Sequence, residues 1–341
     1  ARPYKSANRM GAEPKTAADI LAVGDIVRLE ADGDKWLLAQ VPRVQGALVS
    51  LRPEDGAILA LVGGFDFSGS KFNRVTQAKR QPGSSFKPVI YSAALESGFT
   101  PASIVNDAPV VFDDAALEAT WRPENYSGKF YGPTRLREAL YRSRNLVSIR
   151  VLREVGAAQA ASYAERFGFA AAQLPRDLTL ALGSASATPL QMARAYAVFA
   201  SGGYRVNPYF IMRIHNAEGD VIESARPVVV CPECPPALED LDGTMRPLPL
   251  ADAVITAQNA WLMDSMMRDV IQRGTGQRAR ALGRRDLGGK TGTTNDQKDA
   301  WFCGYNPSLV AVAWVGFDKL EPLGRGETGG RAALPMWMAY M

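Results

Sequence analysis

Short strand-like apolar runs lie at both ends of the pattern-bearing part of this chain, and helical periodicity fills its middle. That division constrains the fold more than any other feature. Ala47-Leu-Val-Ser-Leu51 and Ala57-Ile-Leu-Ala-Leu-Val62 flank Arg52-Pro-Glu-Asp-Gly56, a hairpin with Pro and Gly in its turn. Late strands are expected over 286–294, 300–305 and 309–317, separated by polar turns. Between these groups the spacing predicts helices over 84–96, 134–141, 146–155, 158–167 and 253–273. Thr188-Pro-Leu-Gln191 is a capping box with Pro at the first helical position, opening a helix over 189–200. Met263, Met266 and Met267 form a helical stripe that reads as core packing, and a last helix covers 332–341. The fold class is therefore α+β: an antiparallel sheet built from both ends of the sequence, with helices packed on it.

At 341 residues the chain can hold two domains, or one large domain with a small appendage. Residues 1–20 read as a polar linker. Asp25–Leu29 and Trp36–Val41, around a turn at Asp32-Gly-Asp34, read as short strands of a small β module. The expected division is a linker with a remnant of that module over 1–45 and the main domain over 46–341. The net charge of +4 is modest and the basic residues are scattered, which argues against nucleic-acid binding. No apolar run approaches the roughly 20 residues that span a bilayer. The chain begins at Ala1 without a signal-peptide pattern, as expected of a processed or excised piece.

His215 is the sole histidine, and Ala217-Glu-Gly-Asp220 beside it reads as a hairpin turn, so it is expected at a surface strand end. A His-rich metal site is excluded, and a general base must come from Lys, Tyr or a carboxylate. Cys231-Pro-Glu-Cys234 lies in a Pro-rich loop over 227–250 and fits either a local disulfide or two free thiols. Cys303 reads as a small buried apolar residue. No metal or cofactor is expected.

Three motifs carry chemistry, in order: Ser84-Ser-Phe-Lys87, Ser143-Arg-Asn145 and Lys290-Thr-Gly-Thr293. Ser84 and Lys87, three residues apart on a first helical turn, share one face, and the helix N-terminus favours an oxyanion there. Lys87 can deprotonate Ser84 only as a neutral amine, and burial or a second cation such as Lys290 lowers its pKa. Ser143 is placed to relay a proton, and Asn145 to orient Lys87 and meet a substrate amide. Alone, Ser143 and Asn145 read as a helix cap after Tyr141-Arg142. Gly292 would leave room for an extended peptide beside the strand, with Lys290, Thr291 and Thr293 holding a terminal carboxylate. The Ser84 and Thr293 amides would form an oxyanion hole.

Together with Leu61-Val-Gly-Gly64, Arg80–Pro88, Pro123-Glu-Asn125, Thr188-Pro-Leu190, Arg273-Gly-Thr-Gly276, Gly289–Thr294 and Asp299-Ala-Trp-Phe302, these motifs resemble the transpeptidase domain of class A penicillin-binding proteins. The resemblance covers about Gly46 to Met341. It implies the serine transpeptidase and β-lactamase fold, an antiparallel sheet with helices on both faces and a helical subdomain. It implies attack by Ser84 on D-Ala-D-Ala stem peptides of peptidoglycan, cross-linking by a neighbouring stem, and inhibition by β-lactam antibiotics. The family's roles fall on Ser84, Lys87, Ser143, Asn145, Lys290, Thr291 and Thr293, with Trp121 and Tyr305 walling the site. The parent of such a domain is implied to sit at the periplasmic face of the bacterial inner membrane. Its membrane helix and glycosyltransferase domain are absent from this chain, which is not expected to polymerise glycan. Residues 21–45 resemble only the flanks of the family's OB-like insert. Rival readings are a serine β-lactamase, a D,D-carboxypeptidase and a silent penicillin sensor. The Glu-x-x-Leu-Asn string of class A β-lactamases does not occur here.

Overall fold

The computed structural model describes residues 4–6, 8–114, 119–235, 237–239 and 245–341. Parts of the expected N-terminal linker and of the 227–250 loop lie outside these. Along the chain we label β1 (Arg28–Asp32), β2 (Lys35–Ala39), β3 (Gln45–Leu51), β4 (Ile58–Val62), α1 (Lys87–Glu96), β5 (Ile104–Asp107) and β6 (Gly132–Arg135). There follow α2 (Leu136–Tyr141), α3 (Asn145–Val155), α4 (Ala157–Glu165), α5 (Pro189–Ala200) and α6 (Ala257–Arg273). The chain closes with β7 (Gly288–Thr293), β8 (Asp299–Asn306), β9 (Leu309–Gly316) and α7 (Leu334–Tyr340).

The central sheet runs β7-β8-β9-β3-β4 and every pairing in it is antiparallel. Leu51, Val49 and Ala47 pair with Val310, Val312 and Trp314, so the first hairpin joins the last strands as the apolar patterning implies. Side-chain alternation gives the sheet two buried faces. Trp301, Cys303, Val312 and Val49 lie in one core with residues of α1, α5 and α6, whereas Phe302, Ala311 and Ala313 pack with Leu334 and Trp337 of α7. Each fully buried Leu, Val or Phe of these layers contributes about 1.5–3 kcal/mol.

Local chemistry sets the boundaries. Thr188 caps α5, taking a hydrogen bond from Gln191 N at 3.2 Å while Gln191 Oε1 accepts from Thr188 N at 3.0 Å. The helix expected from residue 134 begins two residues later. Gly132–Arg135 instead pair with Ile104–Asp107 as a two-stranded ribbon, and Pro133 suits that edge. The helix expected from 253 begins at Ala257, because Thr256 accepts from Asn259 N and Ala253 pairs with Tyr204. The last helix starts at Leu334, after a wide helical turn over Gly329–Ala333.

Outside the main sheet, β1 and β2 form an isolated hairpin closed by Asp32 opposite Lys35. Trp36 of that hairpin is 68% exposed. His215 ends a short exposed strand, its Nδ1 3.0 Å from Gly219 O. Cys231 and Cys234 are joined by a disulfide, and Cys303 is a buried free thiol.

One buried ion pair ties the segment before α1 to the sheet. Arg80 Nε donates to Asp299 Oδ1 at 2.6 Å, and Trp314 Nε1 donates to the same oxygen at 2.9 Å. Removing one partner of such a pair strands a buried charge. Asp299→Ala is expected to lower unfolding free energy by about 3–5 kcal/mol, read as a lower urea midpoint at unchanged slope.

Candidate active site

Ser84 stands on a tight 3-10 turn, Gly83–Phe86, that runs directly into α1. Side chains three apart eclipse in such a turn, which puts Ser84 and Lys87 on one side. Several backbone ties fix it. Arg80 and Ala187 exchange both amide hydrogen bonds, at 2.9 and 3.0 Å, and Trp301 Nε1 donates to Gln81 O at 2.9 Å. Ser85 Oγ donates to Pro82 O, and Tyr196 OH to Ser85 O, each at 2.7 Å. Gly83 has φ +54°, and a Cβ there would lie 2.6 Å from Thr293 O, so the turn is pressed onto the end of β7. Ser84 is half-buried at the cleft, and its hydroxyl bonds to no described residue.

Lys87 is fully buried beneath it. Its Nζ donates to Ser143 O at 2.9 Å and to Asn145 Oδ1 at 2.8 Å, with Ser143 Oγ at 3.5 Å. Lys290, also fully buried, donates to Ser143 Oγ at 2.9 Å and to Thr291 O at 3.0 Å. The Ser143 hydroxyl therefore lies between two lysine amines. Ser143 has φ 60°, a left-handed conformation costing a non-glycine residue about 1–3 kcal/mol, and it is this turn that aims both its carbonyl and its hydroxyl inward. Arg144, not Ser143, occupies the N-cap position of α3. Asn145 is held from outside: its Nδ2 donates to Glu124 O at 2.9 Å and its backbone N to Asn125 Oδ1 at 2.8 Å.

Burial pushes the Lys87 amine well below the ordinary lysine range, and the Lys290 charge pushes it further. Burial also lowers Lys290, from 10.5 to about 7. Such a pair favours a neutral amine at Lys87, the form that can take a proton from a serine.

The cleft has a volume of about 1060 Å³ and is lined by Ser84, Ser143, Asn145, Thr291, Thr293 and Trp121. Thr275 Oγ1 lies 2.6 Å from Thr291 Oγ1, and Gly329 N donates to Thr293 Oγ1 at 3.0 Å. Two placements differ from the sequence-based expectation. Gly292 does not free space for a peptide. A Cβ there would lie 2.4 Å from Pro82 O and 2.7 Å from Ser85 Oγ, so it is the turn bearing Ser84 that requires the glycine. Tyr305 is not at the cleft: it is buried under the sheet, its ring against Gly288 and its hydroxyl 3.2 Å from Asp264 Oδ1 of α6. Three contributors went unassigned from sequence: Asn125, Thr275 and the Thr328–Gly330 rim. The first two lie in stretches that carry the family resemblance, and a paired glycine marks the third. Among the described residues no group of three His, Cys, Asp or Glu could hold a metal. Nor is any helix of those residues long and apolar enough to cross a membrane.

The family model for the penicillin binding protein transpeptidase domain matches residues 46–317. This chain belongs to that family. A second match, to the penicillin-binding protein OB-like domain, covers residues 1–44. Penicillin-binding protein 1A of Pseudomonas aeruginosa is 51% identical over the whole chain, and that of Escherichia coli K12 is 42% identical. The chain spans 45% and 47% of their lengths, respectively. The crystal structure of penicillin-binding protein 1A from Haemophilus influenzae superposes with a TM-score of 0.87 at 39% identity, over 94% of this chain and 50% of that one. PonA1 from Mycobacterium tuberculosis in complex with penicillin V gives 0.69 at 28% identity, over 88% of this chain and 79% of that one. The fold is thus that of the penicillin-binding transpeptidases, a serine acyltransferase class.

The lowered Lys290 pKa links to stability. Between about 7 and 10.5 the unfolded chain binds the proton that the native chain does not, so this lysine's contribution rises with pH across that window and is lost as pH falls through about 7. Lys290→Met should flatten the increase of unfolding free energy over that range in urea titrations. An unchanged slope would place the depressed group elsewhere.

Proposed function

We propose that this domain is a peptidoglycan D,D-transpeptidase working through an acyl-Ser84 intermediate. The observation that carries the reading is the Ser143 hydroxyl held beside both lysine amines, next to the Ser84 turn. Neutral Lys87 takes the Ser84 proton as Oγ attacks the penultimate carbonyl of a D-Ala-D-Ala stem. The Ser84 and Thr293 amides receive the oxyanion. Ser143 relays the proton from Lys87 to the departing nitrogen, the C–N bond breaks, and D-Ala leaves. An amine from a neighbouring stem then attacks the ester, loses its proton by the reverse route, and forms the cross-link. Lys290, Thr291 and Thr293 hold the donor's terminal carboxylate, Asn145 meets its backbone amide, and Trp121 walls the cleft. A β-lactam takes the donor's place and leaves a slowly hydrolysed acyl-Ser84. No step uses a metal or cofactor.

We place the division between the OB-like piece and this domain at residue 45. The parent is proposed to act at the periplasmic face of the bacterial inner membrane, where stem peptides are joined.

Incubation with a penicillin should give a one-drug mass adduct that persists for hours and is lost in Ser84→Ala. A transient adduct with continued drug consumption would instead indicate a β-lactamase. No adduct on folded protein would remove the reading.

A further inference from the structure

Behind the Ser143–Asn145 turn lies a carboxylate that this scheme does not use. Asp107, the last residue of β5, is fully buried. Its Oδ1 accepts from Asn125 Nδ2 at 2.8 Å. Asn125 Oδ1 accepts from Asn145 N at 2.8 Å, and Asn145 Oδ1 accepts from Lys87 Nζ at 2.8 Å. Three hydrogen bonds thus link the carboxylate to the lysine by way of Asn125 and Asn145, one holding the Asn145 backbone and the next its side chain. Asn125 Nδ2 also donates to Lys129 O at 2.9 Å, which fixes its amide orientation.

The other carboxylate oxygen is less well matched. Asp107 Oδ2 has no hydrogen-bond partner, and neither has Arg144 Nε, which lies 3.7 Å away. The Arg144 guanidinium stacks on the Tyr131 ring, 3.2 Å from its centre.

We infer that Asp107 is a positioning residue for the general base, seating the Ser143–Asn145 turn through Asn125 and opposing, by its charge, the two cations that face Lys87. The inference rests on Lys87 being the base that activates Ser84. The charged groups facing that amine are Lys290 from β7, Arg144 from the start of α3 and Asp107 from β5. The first two favour the neutral amine and the third favours the ammonium. Tyr91 of α1 also feels Asp107, but burial holds its phenol neutral, with its hydroxyl bonded to Ser148 Oγ. Asp107 therefore keeps Lys87 from losing its proton too readily, so that the amine remains basic enough to accept one from serine.

Only the neutral amine reacts, so the acidic limb of the acylation rate tracks Lys87. Asp107→Asn, close in shape, removes the anion and should move that limb to lower pH by about one unit. Arg144→Gln leaves the anion unopposed and should move it to higher pH. The measurement is the second-order rate of acylation by a fluorescent penicillin on the full chain, from about pH 5 to about pH 9, with melting curves as folding control. A merely structural role would lower the rate at every pH and leave the limb in place. Limbs unmoved in both variants, with acylation retained, would overturn the inference and leave acyl-Ser84 standing. Wild-type protein that never acylates would instead remove the proposed function itself. If Asp107→Asn does not fold, an unmoved limb in Arg144→Gln alone overturns the inference.

Discussion

Two buried amines around one hydroxyl are the constraint on which the rest of this structure depends. Taking an ammonium out of water is costly, and placing a second beside it is costlier. The arrangement is tolerable because Lys87 is surrounded by acceptors, the Ser143 carbonyl and the Asn145 amide oxygen. Lys290 is tied to Ser143 Oγ and to its neighbour's carbonyl. Lys87, the Ser143–Asn145 turn and Lys290 come from three different parts of the chain, so the fold must deliver all three at once. The left-handed turn at Ser143 is the local strain accepted for that delivery.

Much of this could be read from residue order, because the signals were local. The hairpin over 47–62 and the late strands carry short apolar runs bounded by turn residues, and they appear as β3, β4 and β7 to β9. The capping box at Thr188 gave the start of α5 because its hydrogen bonds lie within four residues. Helix starts at 134 and 253 misled because pairing with distant partners, Ile104–Asp107 and Tyr204, overrode helical spacing. Ser84, Lys87, Ser143, Asn145 and Lys290 were found through chemistry and motif order, and the fold brings them together. Asn125 and Thr275 act through contacts across long sequence separations, which no local pattern encodes. Gly292 shows the same limit from another side: the residue was flagged, but what it admits, the carbonyl of Pro82, was not visible in sequence.

The supporting layer explains why the turn bearing Ser84 can be so tight. Arg80, Gln81, Pro82 and Ser85 each give or take a hydrogen bond within or beyond the turn. Ser84 is left as the side chain facing the cleft with no internal partner among the described residues. The backbone of that residue is held by everything around it, which fixes where its side chain stands in the cleft. A fixed backbone with a side chain open to the cleft suits the penicillin-binding transpeptidase family to which the chain belongs.

The central sheet has a consequence for how the molecule comes into being. Leu51 must find Val310, and the whole helical region lies between them in sequence. Such a contact closes a very long loop, and pairing of this kind forms late. During synthesis the serine and its lysine emerge well before the strand that bears Lys290. The nascent chain therefore carries Ser84 and Lys87 without the second amine beside them until the strand bearing Lys290 has emerged. In the reading proposed above, the cluster around Ser143 is complete only once that strand has joined the sheet, so the last strands assemble the site as well as the core.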